Sequence, residues 1–225
     1  MADMVLEPEV IEIQAPDISE LVTEDDTPLD NIFSEKQQRL LTDSLYSSWT
    51  GPGENRPFIT LANVGMFYAT TQQAVVPDVL VSLDVEHPDD VWEKRHRSYF
   101  IWEYGKPPEV VIEIVSNKVG GELEHKKKLY ARLGIAYYVV FDPEQQLSEQ
   151  TLQIFHLRNM VYILAEETDL PGMNLGFTLW EGQFQGLEAI WLRWLDQKGN
   201  LLLTGNERAE KLAAQLSALG VEPEV

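Results

Sequence analysis

Apolar residues gather along this chain in short β-branched runs and in a few stretches with helical spacing, a pattern that predicts an α/β fold. Ser34, Glu35, Lys36 and Gln37 form a capping-box signal, and Leu40, Leu41, Leu45 and Tyr46 then supply the apolar face of a helix running to about Trp49. After a Gly51-Pro52-Gly53 turn, residues 59–62, 66–69 and 75–81 read as strands, with a charged loop over 85–97 and a further strand at 99–103. The run 110–116 is the longest β-branched one. A helix over 126–133 ends at Gly134, and Tyr137–Phe141 is a strand closed by Asp142-Pro143. Residues 151–157 and 160–164 read as one hairpin, and 191–195 and 201–203 as another around Gly199-Asn200. A short amphipathic helix over 207–219 ends the pattern. These elements divide the chain into an acidic arm (1–33), an α/β domain (34–204) and a C-terminal helix (205–225).

Two acids interrupt the apolar strands. Glu113 sits inside Val110-Val111-Ile112-Glu113-Ile114-Val115, and Asp78 stands at the mouth of the run that continues Val79-Leu80-Val81. An ionised carboxylate in such a setting costs several kcal/mol unless it is paired or holds a cation. Asp after Pro is also a common turn or strand-start residue, and a buried Lys or Arg would neutralise Glu113 equally well. Taken together, the two acids point to a shared cation, with a divalent metal in the lead.

Composition narrows the class. At 225 residues, 44% of them hydrophobic, the chain can bury a substantial core. It has no cysteine, which removes disulfides and thiolate metal sites and suits a reducing compartment. No basic, apolar leader opens it and no apolar run reaches membrane-spanning length, so a soluble cytoplasmic protein is expected, with no membrane partner. The net charge of −20 is unevenly spread. Residues 1–35 hold 11 acids and no Lys or Arg, whereas residues 93–132 hold 9 of the 17 basic residues against 6 acids. A basic rim on an acidic body is compatible with phosphate binding, and it is equally compatible with a solvated helix face.

The order of these signals resembles the PD-(D/E)XK nuclease superfamily, whose restriction-endonuclease-like fold is a mixed central β-sheet flanked by helices. The resemblance extends to one bacterial branch of restriction endonucleases long known only as a domain of unknown function. The matching residues are Pro77-Asp78-Val79-Leu80-Val81, then Gly105-Lys106-Pro107-Pro108 through Ser116, Lys126 four residues before Tyr130-Ala131, Gly134-Ile135 with Tyr138, and Asp142-Pro143. They cover roughly residues 34–196, and the terminal stretch from Arg208 to Ala214 is similar to a helix that many members carry.

The resemblance implies the restriction-endonuclease-like fold with extra β-hairpins and a C-terminal helix. It also implies hydrolysis of nucleic-acid phosphodiesters, DNA first, with Mg²⁺ as cofactor and Mn²⁺ as an expected substitute. Asp78 and Glu113 would be the metal ligands, with the main-chain carbonyl of Val115 as a third donor. Val115 stands where the superfamily motif has lysine, so Lys126 on the following helix is the candidate catalytic cation, with Lys118 as an alternative. Lys127 and Lys128 follow at about 100° and 200° round the helix, so only one or two of the three can point inward. Glu35 is the candidate first-helix acid, although a position near a helix start explains it as well. Two cuts on a duplex suggest a homodimer. A catalytically inactive binding or assembly module acting through Leu212, Leu216 and Leu219 is the alternative.

Other chemistries find less support. His87, His96, His125 and His156 are dispersed without His-Glu-x-x-His spacing, and no phosphate-binding Gly-x-x-x-x-Gly-Lys-(Ser/Thr) loop occurs. Of Trp191 and Trp194, three apart in an apolar run, at least one belongs to the core.

Overall fold

The computed structural model describes residues 17, 31–53, 56–116 and 122–221. Residues 1–30 of the acidic arm, apart from Asp17, and Lys118 lie outside the described residues. The chain order is α1 (Ile32–Ser48), β1 (Phe58–Ala62), β2 (Met66–Phe67), β3 (Val79–Leu83), β4 (Tyr99–Phe100), α2 (Ile101–Tyr104), β5 (Val110–Ile114), α3 (Glu122–Leu133), β6 (Tyr137–Phe141), β7 (Leu152–Arg158), β8 (Val161–Leu164), β9 (Asp169–Leu170), β10 (Leu175–Phe184), β11 (Leu187–Asp196) and α4 (Gly205–Ala218).

A six-stranded sheet in the order β1-β3-β5-β6-β7-β8 forms the centre. Only the β5–β6 pair is parallel, and α3 supplies its crossover; the other neighbours are antiparallel. This mixed sheet with flanking helices is the expected restriction-endonuclease-like α/β architecture. Strand alternation sorts the side chains into two layers. Val79, Val81, Ile112, Ile114 and Val139 face Leu41 and Leu45 of α1 together with Phe177 and Trp194. Leu80, Val111, Val115 and Val140 face the other way, toward Tyr130 of α3.

Several local expectations change. The first helix begins at Ile32, because Asn31 and not Ser34 caps it: the Asn31 side chain accepts the Ser34 N–H at 2.9 Å. Residues 99–103 are only briefly extended, since Ile101–Tyr104 closes into a helical turn ending at Gly105, whose φ of 73° admits glycine readily. The stretch 191–195 pairs chiefly with β10 and not with 201–203, which contributes a single bridge, Leu195 to Leu201. Strand β10 carries polar and glycine residues between its apolar ones, so it lacks the β-branched density that marks the central strands. Trp191 and Trp194 are both fully buried. Gln37 seals the neighbouring backbone: its amide donates to the Leu192 carbonyl and accepts the Leu192 N–H, each at 2.9 Å. That arrangement holds α1 against β11 and fixes where the first helix meets the sheet.

Candidate active site

Asp78 immediately precedes β3. In the antiparallel β3–β5 register Val79 lies opposite Ile112, so Asp78 falls beside Glu113. Directly opposed residues share a face. Leu80 and Val111 point toward α3, and Asp78 and Glu113, each two residues away, point the same way. Proline at 77 ends the strand and puts Asp78 at the edge of the core, where its side chain turns toward Ile114. Its Oδ2 accepts the Ile114 N–H at 2.6 Å and its Oδ1 accepts the Gln38 amide at 3.1 Å.

Glu113 is 4% exposed. Its Oε2 accepts from Lys126 Nζ at 2.9 Å and its Oε1 from the Tyr130 hydroxyl at 2.7 Å. Lys126 and Tyr130 are four residues apart on α3 and therefore lie on one helix face, over the strand that carries the acid. Lys126 also donates to the Val76 carbonyl at 3.2 Å, which ties α3 to the chain entering β3. Burial pushes the Glu113 carboxyl up to about 7; Lys126 pulls it back, and the neighbouring negative charge of Asp78 adds to the rise. The Tyr130 hydroxyl is held well above its ordinary range by burial and by Glu113.

The structure thus brings Asp78, Glu113 and Lys126 together. The other expected residues go elsewhere. Glu35 is ion-paired with Arg39 one turn further along α1, and the residue of that helix that reaches Asp78 is Gln38. Val115 donates its N–H to the Phe141 carbonyl at 2.8 Å, so its backbone is turned toward β6. A strand residue's N–H and C=O share an edge, so the main-chain oxygen on the Asp78 side is that of Ile114, not Val115. Lys127 lies over the Phe155 ring at 3.6 Å and Lys128 is exposed, which leaves Lys126 as the described lysine of the triplet at the acids.

The basic rim is partly consumed in local pairs. Arg95 binds Glu93, and Lys106 binds Glu109 and the Leu83 carbonyl. The histidines serve separate places: His87 meets the Tyr46 hydroxyl at 3.1 Å, His96 the Asp90 carbonyl, and His156 packs edge-on against Tyr137. Among the described residues no group of three or more His, Asp or Glu side chains gathers to hold a metal. Two facing carboxylates do suit an ion that keeps most of its waters, as Mg²⁺ does. Each carboxylate offers about four lone-pair sites, and the hydrogen bonds to Glu113 occupy two of them.

Gln38 and Tyr130 are the partners that sequence reasoning missed. For Tyr130 a signal existed, because it falls on the Lys126 face of an amphipathic helix. Gln38 gave none: a glutamine among helical leucines looks like a solvated position until the sheet end is placed beside it.

No curated protein matches the chain. A family model does, that of Uma2, described as "Putative restriction endonuclease", over residues 22–179. That span is more than half of the chain and contains every residue of the Asp78–Glu113–Lys126 cluster, so the chain belongs to the Uma2 family of restriction-endonuclease type.

Proposed function

We propose that the chain is a Mg²⁺-dependent endonuclease that hydrolyses phosphodiester bonds of DNA, with Mn²⁺ able to replace Mg²⁺. The observation that carries this reading is the convergence of Asp78 and Glu113 on one face at the end of the sheet, with Lys126 Nζ 2.9 Å from Glu113. Asp78 and Glu113 would hold the ion, and the Ile114 carbonyl is the backbone oxygen on their side. When bound, the ion supplies Lewis-acid activation of the phosphate and a lowered pKa for an attacking water. Gln38 and the Ile114 N–H keep Asp78 turned into the site, and Tyr130 does the same for Glu113. Lys126 places a positive charge beside the acids, where it can stabilise charge developing on the phosphate. No covalent nucleophile is required.

The test uses Mn²⁺ titration followed by cleavage of supercoiled plasmid with Mg²⁺ or Mn²⁺. Saturable metal binding lost in Glu113→Gln, with nicking lost in both Glu113→Gln and Lys126→Ala, is the expected result. Metal binding that survives both Glu113→Gln and Asp78→Asn would end this assignment.

A second reading, that of an assembly module, is favoured by one feature. Helix α4 buries none of its residues, and Leu212, Leu216 and Leu219 are exposed along one stripe. We read this stripe as the seam of a homodimer, which accompanies the nuclease or, if catalysis has lapsed, replaces it. Sedimentation of the wild type and of Leu212→Glu/Leu216→Glu tests the seam: a dimer that becomes monomeric supports it, and an unchanged species rejects it.

A further inference from the structure

Lys126, which pairs with Glu113, also lines a cleft of about 670 Å³ between the turn of residues 68–74 and α3. Tyr68, Gln72 and Gln73 line it from the turn, and Lys126 and Leu129 from the helix. Its size lies in the range of small-molecule and cofactor sites, ample for one nucleoside.

Three features define what the cleft can take. Lys126 is the single Lys or Arg among the described residues lining it, and it stands at the end nearest Glu113. Apart from His125 on α3, the other lining residues are apolar or uncharged polar side chains. Gln72 and Gln73 are exposed at the tip and present amides, each a donor and an acceptor side by side. One phosphate at the lysine, a flat apolar body and a polar edge are the chemistry of a nucleotide, and an amide matches an adenine edge best. An acidic peptide would call for several cations.

The surrounding chain is built for the same visitor. No charged residue occurs from Pro57 to Pro77, in a protein whose net charge is −20. The turn itself therefore presents no carboxylate to a polyanion that approaches it. The turn is pinned at its base by paired bonds between Met66 and Val75, at 2.8 and 3.1 Å, and by stacking of Phe67 on Phe100. Val76 at that base accepts from Lys126, so the turn and the catalytic lysine hold a fixed relation.

We propose that this cleft is the subsite for the nucleoside adjoining the scissile phosphate, and that Gln72 and Gln73 read the edge of its base, adenine foremost. This rests on the nuclease reading and goes beyond it by assigning specificity to a place. The experiment sequences the ends left by Mn²⁺-supported cleavage of random-sequence DNA. Wild-type protein is expected to show a base bias at one position next to the cut, led by adenine, and Gln72→Ala/Gln73→Ala to lose it by about 5- to 100-fold. In parallel, Glu113→Gln protein with and without the double substitution is titrated with labelled oligonucleotides by anisotropy, where the double substitution weakens binding of adenine-bearing strands most. A bias identical in wild type and double variant, with cleavage intact, overturns the subsite and leaves the nuclease standing. Absence of cleavage by folded, metal-binding wild type overturns both.

Discussion

Glu113 and Glu207 are both carboxylates paired with a largely buried cation, Lys126 for the first and Arg193 for the second. Arg193 is 1% exposed and grips Glu207 with two nitrogens at 2.8 Å while also donating to the Leu202 carbonyl. Glu207 completes the Thr204 capping box that opens α4. Partial burial works against its charge, yet the Arg193 and Thr204 hydrogen bonds prevail and hold its carboxyl below the usual range. At Glu113 burial wins over Lys126, and a second acid stands beside it. One pair is electrostatically complete and reads as architecture. The other keeps two acids against one lysine in a buried setting, which is the condition of a site that awaits a cation.

The sharpest way to break this comparison is to neutralise each acid's environment in turn. Glu113→Gln should lower Mg²⁺-supported cleavage by more than the roughly 10–100-fold that changes outside the ligand set produce. The same substitution should raise metal-free stability at pH 8, by about 1–3 kcal/mol, because above about pH 7 burial costs the ionised Glu113 more than Lys126 returns. Plasmid nicking and urea melts at pH 8 check the two signs. A Glu113→Gln protein both less active and less stable would place Glu113 among the architectural pairs.

Arg193→Ala should act in the opposite sense on stability, costing about 3–5 kcal/mol at pH 7, since it strands Glu207 and leaves the Leu202 carbonyl without its donor. Loss of α4 signal in far-ultraviolet circular dichroism should accompany it. Cleavage per folded molecule should persist, because α4 packs chiefly on α1, and neither Arg193 nor Glu207 bonds to Asp78, Glu113 or Lys126.

The pH responses of the two pairs should also diverge. Glu113 is raised from its unfolded value, so its contribution to metal-free stability is intact below about pH 4.5 and is lost as pH rises through about 7. The cost above that range is on the order of 3 kcal/mol. Glu207 is lowered, so its contribution is present above its ordinary value and fades as pH falls through the folded one. Binding of Mn²⁺ requires ionised Glu113, so affinity should climb about tenfold per unit up to pH 7 and then level off. Calorimetric titration across pH 5.5–8.5 measures this, and a flat affinity would remove Glu113 from the ligand set.

How much of this was legible in the sequence follows the same division. Asp78 and Glu113 stood out because acids in β-branched runs conflict with their surroundings, and the conflict is local. Lys126 was legible only through the family resemblance, which implies a lysine four residues before Tyr130 and Ala131. Arg193 gave no sign, because its partner lies 14 residues on, beyond a turn, and the pair forms only when β11 meets α4. Glu35 misled for a related reason: an acid in a first helical turn looks the same whether it faces a site or a neighbouring arginine. Gln38, one turn later, is decided by how α1 crosses the end of the sheet, which the Gln37 clamp on Leu192 sets. Val115 was expected to offer its carbonyl from its place after Glu113, but edge direction in a strand depends on register with β6, and register is a tertiary fact.

The smallest expected effect is the most selective. Tyr130→Phe removes one oxygen, and the fully buried ring still packs against Tyr138. Its hydroxyl donates to Glu113 at 2.7 Å, and such a bond favours the ionised acid, so the variant should move the Glu113 carboxyl further upward. Hydrogen bonds to charged groups contribute about 1.5–3 kcal/mol, so Mn²⁺ affinity at pH 7 should weaken by roughly tenfold. At pH 8.5, where Glu113 is ionised in the wild type and more nearly so in the variant, the difference should shrink, since what is lost is mainly the ease of giving up the proton. If the deficit were the same at every pH, Tyr130 would serve to orient the carboxylate and not to tune it. A deficit that closes with rising pH assigns the tyrosine to the charge balance that separates Glu113 from Glu207.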